Sequence, residues 1–134
     1  MTNIYKNILI PVDGSQQSID AFKNGVHLAK KLESNVYLVR VLKDNKDEEE
    51  LAENRETFFA ALERYANGIG VSLTKEIVFG EPRTQIAEIL VDKWDIDLIV
   101  MGATGKGRIA KMTLGSITEY VVRNAKCAVL IGRE

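Results

Sequence analysis

Five short apolar runs, separated by amphipathic stretches, constrain this chain more than any other feature of its sequence. The first, Ile8-Leu9-Ile10-Pro11-Val12, is almost continuously apolar, the pattern of a parallel strand covered on both faces. Asn35–Leu42, Val71–Gly80, Asp97–Gly102 and Cys127–Gly132 read as four more strands, the third alternating in its first half. Between the first two runs, Ile19, Phe22, Val26 and Ala29 recur at helical spacing behind Ser15, a residue suited to cap a helix start. From Leu51 a long helix is expected to carry Phe58, Leu62, Tyr65 and Ile69 on one stripe. Pro82 stands where a first helical residue belongs, with Ile86, Ile89 and Leu90 expected to face inward. A last helix is expected from about Ser116 to Asn124, just before the fifth run.

Strands alternating with helices predict parallel pairing through right-handed crossovers. The expected fold is α/β: an open, doubly wound, five-stranded parallel sheet with helices on both faces, Rossmann-like, in a single domain over residues 1–134. In such sheets ligands bind outside the carboxyl ends of the strands, where the winding reverses. The positions to watch are therefore Pro11-Val12-Asp13, Val41-Leu42, Gly80 and Met101-Gly102.

The segment Gly102–Ser116, GATGKGRIAKMTLGS, breaks this regular alternation. It is not a P-loop: only two residues separate Gly102 from Gly105-Lys106, where that motif needs four, and Gly107 follows the lysine. Gly105–Ala110 matches G-x-G-x-x-A. A dinucleotide site would need that match directly after a strand, with an acid about 20 residues on, and none stands near Lys126. What remains is the spacing Gly102-x2-Gly105-x9-Gly115-Ser116 between a buried strand and a helix. Glycines let a backbone approach a ligand, and successive N–H groups can then converge on an anion. A helix start favours phosphate. Lys106, Arg108 and Lys111 add positive charge, so a polyphosphate is the natural guest. The residues also allow a simpler reading. Ser116-Ile117-Thr118-Glu119 has the form of a capping box, Asp13-Gly14 of a tight turn, and a long loop can be only a loop.

Charge and composition exclude several classes. The net charge is −1 and the pI about 5.9, which argues against a general nucleic-acid binder. No apolar run approaches the roughly 20 residues of a membrane span, and the start of the chain lacks a signal-peptide layout. A cytoplasmic protein is the expectation. Cys127 is the only cysteine, so no internal disulfide forms, and it reads as a small buried hydrophobe. His27, the only histidine, reads as an exposed helix residue away from the strand ends, leaving no Ser-His-Asp or Cys-His arrangement. One His and one Cys make no soft metal cluster. The acidic run Asp47–Glu50 reads as a solvated helix start, and Trp94 as a packing residue.

The chain resembles the universal stress protein family, and the likeness runs nearly end to end. It is carried by ILIPVDGS, LVRVL, GEP, and VMGATGKGRIAKMTLGSITEYVVRNAKCAVLIG. The spacing G-x2-G-x9-G-[S/T] marks the family's ATP-binding branch. The resemblance implies that Pro11, Val12 and Asp13 end the first strand, with Asp13 near the ribose or a phosphate-bound Mg²⁺. Val41 and Met101 would stand at the ends of the second and fourth strands, Val41 against adenine. Gly102, Ala103, Thr104, Gly105, Lys106, Gly107 and Arg108 would wrap the phosphates, and Gly115, Ser116 and Ile117 would complete the cradle. It also implies a homodimer paired through the C-terminal strand. One departure is Cys127-Ala128-Val129, where members often read Cys-Pro-Val; alanine restores a backbone N–H there. The expectation is an ATP-binding switch or stress-response factor without catalytic residues. The alternatives are a slow ATP hydrolase relying on Asp13 and an interaction module that holds no nucleotide.

Overall fold

In this computed structural model the backbone of residues 4–43, 48–104 and 114–132 is described, with side chains over the same spans except residues 48–56. Gly105, Lys106, Gly107, Arg108 and Lys111 of the glycine segment, and Asp47, lie outside the described residues. The strands are β1 (Asn7–Pro11), β2 (Asn35–Leu42), β3 (Leu73–Phe79), β4 (Leu98–Gly102) and β5 (Ala128–Gly132). Helices α1 (Gln16–Leu32) and α2 (Glu48–Gly68) follow β1 and β2. After β3 the chain forms α3 (Pro82–Thr84), a π-helical turn (Gln85–Ile89) and α4 (Leu90–Lys93). Helix α5 (Ser116–Asn124) precedes β5.

The strands form one parallel sheet in the order β3-β2-β1-β4-β5, which is the expected doubly wound topology. β1 lies at the centre, and its successive side chains enter opposite layers. Ile8, Ile10 and Val12 pack with Phe22 and Val26 of α1 and Phe59 and Leu62 of α2. Leu9 points the other way, into a second core with Val39, Ile99, Ile86, Leu90 and Val121. Ile8, Leu9 and Ile10 are wholly buried, as a strand covered on both faces requires.

Helix α1 approaches the sheet closely because small residues face it. A Cβ on Gly102 would stand 2.9 Å from the backbone oxygen of Gln17, and one on Gly132 would stand 3.2 Å from the Cβ of Ala21. Ser15 caps α1 as expected, its side chain accepting from the Ser18 amide, and Pro82 occupies the first turn of α3.

Three expectations about individual positions are corrected. Helix α2 begins at Glu48 rather than Leu51; Phe58, Leu62, Tyr65 and Ile69 do share the face that packs on the first core, joined there by the wholly buried Phe59. Ile89 is 49% exposed instead of facing inward. The Leu90 amide donates to the Gln85 carbonyl, five residues back. This wider turn puts Ile86, Ala87, Leu90 and Val91 on the buried face and swings Ile89 to solvent. β5 starts at Ala128, leaving Cys127 half-buried just before it.

Candidate functional site

The winding reverses at β1, which pairs with β2 on one side and β4 on the other. The carboxyl ends of β1 and β4 therefore bound a crevice, the place where open α/β sheets take ligands. A cleft of about 300 Å³ opens there, at the small end of the roughly 300–1,000 Å³ spanned by small-molecule sites.

Its floor is the turn from β1 into α1. The Val12 amide donates to the Val39 carbonyl at 2.9 Å, holding the end of β1 against β2. Beyond it Gly14 takes φ +88°, a conformation that suits glycine. Asp13 Oδ1 accepts from the Ser15 amide at 2.9 Å, and the Asp13 amide donates to Ser18 Oγ at 3.3 Å. Ser18, 5% exposed, also donates through its hydroxyl to the Ser15 carbonyl. The Asp13 carboxylate is thus held at the rim of the cleft by the turn that follows it.

The second wall is the end of β4 and the start of α5, and the base of the glycine segment is clamped between them. The Gly115 amide donates to the Ala103 carbonyl at 2.8 Å, and the Thr118 hydroxyl donates to the Gly102 carbonyl at 2.9 Å. Thr104 is buried and donates through its hydroxyl to Gln17 Oε1. These bonds make Gly115 the last extended residue (φ −65°, ψ 159°), so α5 starts at Ser116. The capping-box reading of Ser116 is therefore corrected: Gly115 is the N-cap, and no side-chain bond caps this helix among the described residues. Ser116 Oγ instead accepts from Arg83 Nη2 at 2.9 Å. The first amides of a helix have no intrahelical acceptor, so the start of α5 presents donors and a positive dipole end beside the cleft.

The lip is formed after β3. Pro82 and Ile86 line the cleft beside α5. Glu81 Oε1 accepts from Arg83 Nη1 at 2.8 Å and from the Arg83 amide at 3.2 Å. These bonds hold the Glu81 carboxyl below its ordinary range, so it stays ionised and fixes the guanidinium.

The cleft brings together Pro11, Val12, Asp13, Val41, Met101, Gly102, Thr104, Gly115, Ser116 and Ile117 from the sequence-derived set. Ala103 does not line it; its carbonyl closes the loop base instead. Gly80 also stays off the wall, its amide donating to the Leu42 carbonyl at 2.8 Å. Sequence reasoning missed Ser18, Pro82, Ile86 and Thr118 as wall residues, and Arg83 at the lip. The helical phase behind Ser15 could have found Ser18, and Pro82 was already marked as a helix start. Nothing in the sequence joins Arg83 to Ser116. Among the described residues no group of three His, Cys, Asp or Glu side chains could hold a metal, and no helix is long and apolar enough to cross a membrane. His27 is exposed and bonded to the Tyr65 hydroxyl at 2.8 Å, remote from the cleft. Trp94 stacks on Tyr37 with ring centroids 5.1 Å apart, as a packing residue should.

Chemically, the cleft combines apolar lining from three strand ends (Val12, Val41, Met101) and the π-helical turn (Ile86) with polar lining from Asp13, Ser116 and the start of α5. Such a lining can take a molecule that has both an apolar and a polar part. Comparison with known proteins agrees in fold and extent. Residues 4–133 match the universal stress protein family. Universal stress protein MJ0531 of Methanocaldococcus jannaschii is 34% identical, the match covering 96% of this chain and 82% of that protein. Universal stress protein UspA from Lactobacillus plantarum superposes with TM-score 0.83 at 30% identity, over 96% of this chain and 98% of that one. Two more distant structures share the fold. One is a universal stress protein in complex with cAMP (TM-score 0.76, 24% identity, 96% and 97% covered). The other is the Archaeoglobus fulgidus protein in complex with dAMP (TM-score 0.75, 20% identity, 96% and 98% covered).

Proposed function

The chain belongs to the universal stress protein family, and we propose that it binds adenine nucleotides, ATP foremost, as a nucleotide-dependent switch in a cytoplasmic stress response. The observation that carries this reading is one cleft in which apolar strand ends meet a helix start without a described side-chain cap. The two described ends of the spacing Gly102-x2-Gly105-x9-Gly115-Ser116, Gly102 and Gly115-Ser116, line the same cleft. Complexes of two fold relatives with cAMP and dAMP support the adenine part.

In this reading Val41 and Met101 sandwich the base region, Asp13 meets the ribose, and Ser116 and Ile117 offer amides to phosphate. Gly102 and Thr104 stand on the wall, and we propose that Gly105, Lys106, Gly107 and Arg108 complete the cradle. Mg²⁺ fits as a companion of the phosphates rather than a resident ion. It keeps waters and takes one or two carboxylates beside nucleotide phosphates, and among the described residues Asp13 is the one carboxylate on the cleft wall. For the same reason we propose that hydrolysis is slow or absent: in-line attack needs a group that orients or deprotonates water, and Asp13 alone would have to serve.

The test is mass spectrometry of material released by denaturing the purified protein, followed by calorimetric titration with ATP. Adenine nucleotide in the supernatant and saturable binding are expected. No co-purified nucleotide and no heat of binding at millimolar ATP would leave an interaction module in place of a nucleotide switch. Phosphate release over many turnovers, abolished in Asp13→Ala, would make the protein a hydrolase.

A further inference from the structure

We propose that Arg83 is the residue by which this site distinguishes phosphorylated ligands from the bare nucleoside, an inference that rests on the nucleotide reading above. Arg83 lies on α3, yet its guanidinium reaches α5: Nη2 donates to Ser116 Oγ at 2.9 Å while Nη1 donates to Glu81 Oε1 at 2.8 Å. A guanidinium carries five N–H donors in a rigid fork, and these two bonds engage two of them. The side chain is 34% exposed, so it keeps its charge with little desolvation while standing at the lip.

Ser116 is the first residue of α5 and lines the cleft. A phosphate accepting from the first amides of α5 lies beside Ser116 Oγ, and so beside the guanidinium bonded to that oxygen. Because Ser116 Oγ accepts from Arg83, its own O–H is directed elsewhere and can donate to an anion. Glu81 holds the guanidinium in place before any ligand arrives, so little side-chain entropy is lost on binding. Charge-assisted, fork-shaped donors suit phosphate in particular, whereas an uncharged nucleoside gives them nothing to read.

The experiment is calorimetric titration of wild type, Arg83→Gln and Arg83→Lys with ATP, AMP and adenosine, beside melting curves without ligand. Arg83→Gln is expected to lose about tenfold in ATP affinity, equivalent to about 1.4 kcal/mol, with adenosine affinity unchanged. Arg83→Lys, which keeps the charge but not the fork, should recover part of the loss. If both variants keep the wild-type ratio of ATP to adenosine affinity, Arg83 does not read phosphate. If adenosine binding falls in step with ATP binding, the residue only shapes the cleft and the inference is equally overturned. If wild type binds none of the three, the nucleotide reading itself fails and takes this one with it. Should Arg83→Gln not fold, the same ratio measured in Arg83→Lys decides.

Discussion

The Thr118 hydroxyl donates to the Gly102 carbonyl at 2.9 Å from a position only 3% exposed. The bond ties the last residue of β4 to the first turn of α5, and so sets the mouth of the glycine segment that lies between them. Thr118→Val keeps the shape and removes the donor. It should cost about 1–3 kcal/mol, the range for leaving a buried acceptor short of a partner, and should weaken ATP binding as the loop base loosens. Urea denaturation and titration with ATP check the two effects.

Ser116→Ala should behave differently. The hydroxyl is not a helix cap, because Gly115 holds that place, so the loss of about 1 kcal/mol expected for a cap should not appear. A change within about 0.5 kcal/mol, as for other surface positions, is expected, together with weaker ATP binding. A full cap-sized loss of stability with unchanged ATP affinity would contradict the site described here.

Gly102 belongs to the glycine pattern, but α1 requires it independently of any ligand. A Cβ there would meet the Gln17 backbone oxygen at 2.9 Å and its carbonyl carbon at 3.0 Å. Backbone cannot move aside as a side-chain tip can. Gly102→Ala should therefore destabilise the ligand-free protein by about 1–3 kcal/mol, the usual cost of overpacking. Unchanged melting of that variant without nucleotide would show that Gly102 serves the ligand alone.

The elements and their order were legible because the apolar runs are short and the helical stripes long, so period 2 and period 3.6 separate cleanly from Ile8 onward. The strand ends of the cleft followed from topology alone. What escaped depended on local backbone or on distant contact. The π-helical turn moves Ile89 to solvent through one carbonyl, Gln85, accepting five residues on, and no residue type announces that. Thr118 read as the third residue of a capping box, while its hydroxyl actually turns inward to β4. Arg83 and Ser116 meet only because α3 and α5 pack side by side over the second core.

Cys127 carries a pH prediction. Burial, and then the nearby Asp97 carboxylate, push its thiol from an ordinary 9.0 up to about 11. The folded state therefore holds the proton more tightly than the unfolded chain does. The stabilisation from this group is complete below pH 9 and is lost as pH rises from about 9 to about 11. At pH 7.5 the thiolate is scarce, so alkylation by iodoacetamide should be on the order of a hundredfold slower than for an unperturbed thiol, and should climb towards pH 11. The rate is read by intact mass. Rapid labelling at pH 7.5 would mean that the thiol is not shielded as the structure has it.

The two sheet edges differ in a way that bears on assembly. β3 forms one edge and carries Lys75 and Glu76, with Lys75 paired to Glu63 at 2.9 Å; charges on an edge discourage further pairing. β5 forms the other edge, and Ala128-Val129-Leu130-Ile131-Gly132 holds no charge at all. Val129 and Ile131 pack against the second core, while Leu130 is 46% exposed. An uncharged apolar edge is an aggregation liability unless something covers it. A second copy pairing its own β5 about a two-fold axis would satisfy both the edge backbone and Leu130, and we propose that homodimer. A charge at Val129 would also disturb the second core, against which that side chain packs. Leu130→Lys changes only the exposed position. It should shift sedimentation from dimer to monomer at tens of micromolar while leaving the monomer's fold intact by circular dichroism. A wild-type protein that sediments as a monomer at several hundred micromolar would rule the dimer out, and β5 would then be an edge that the sequence leaves bare.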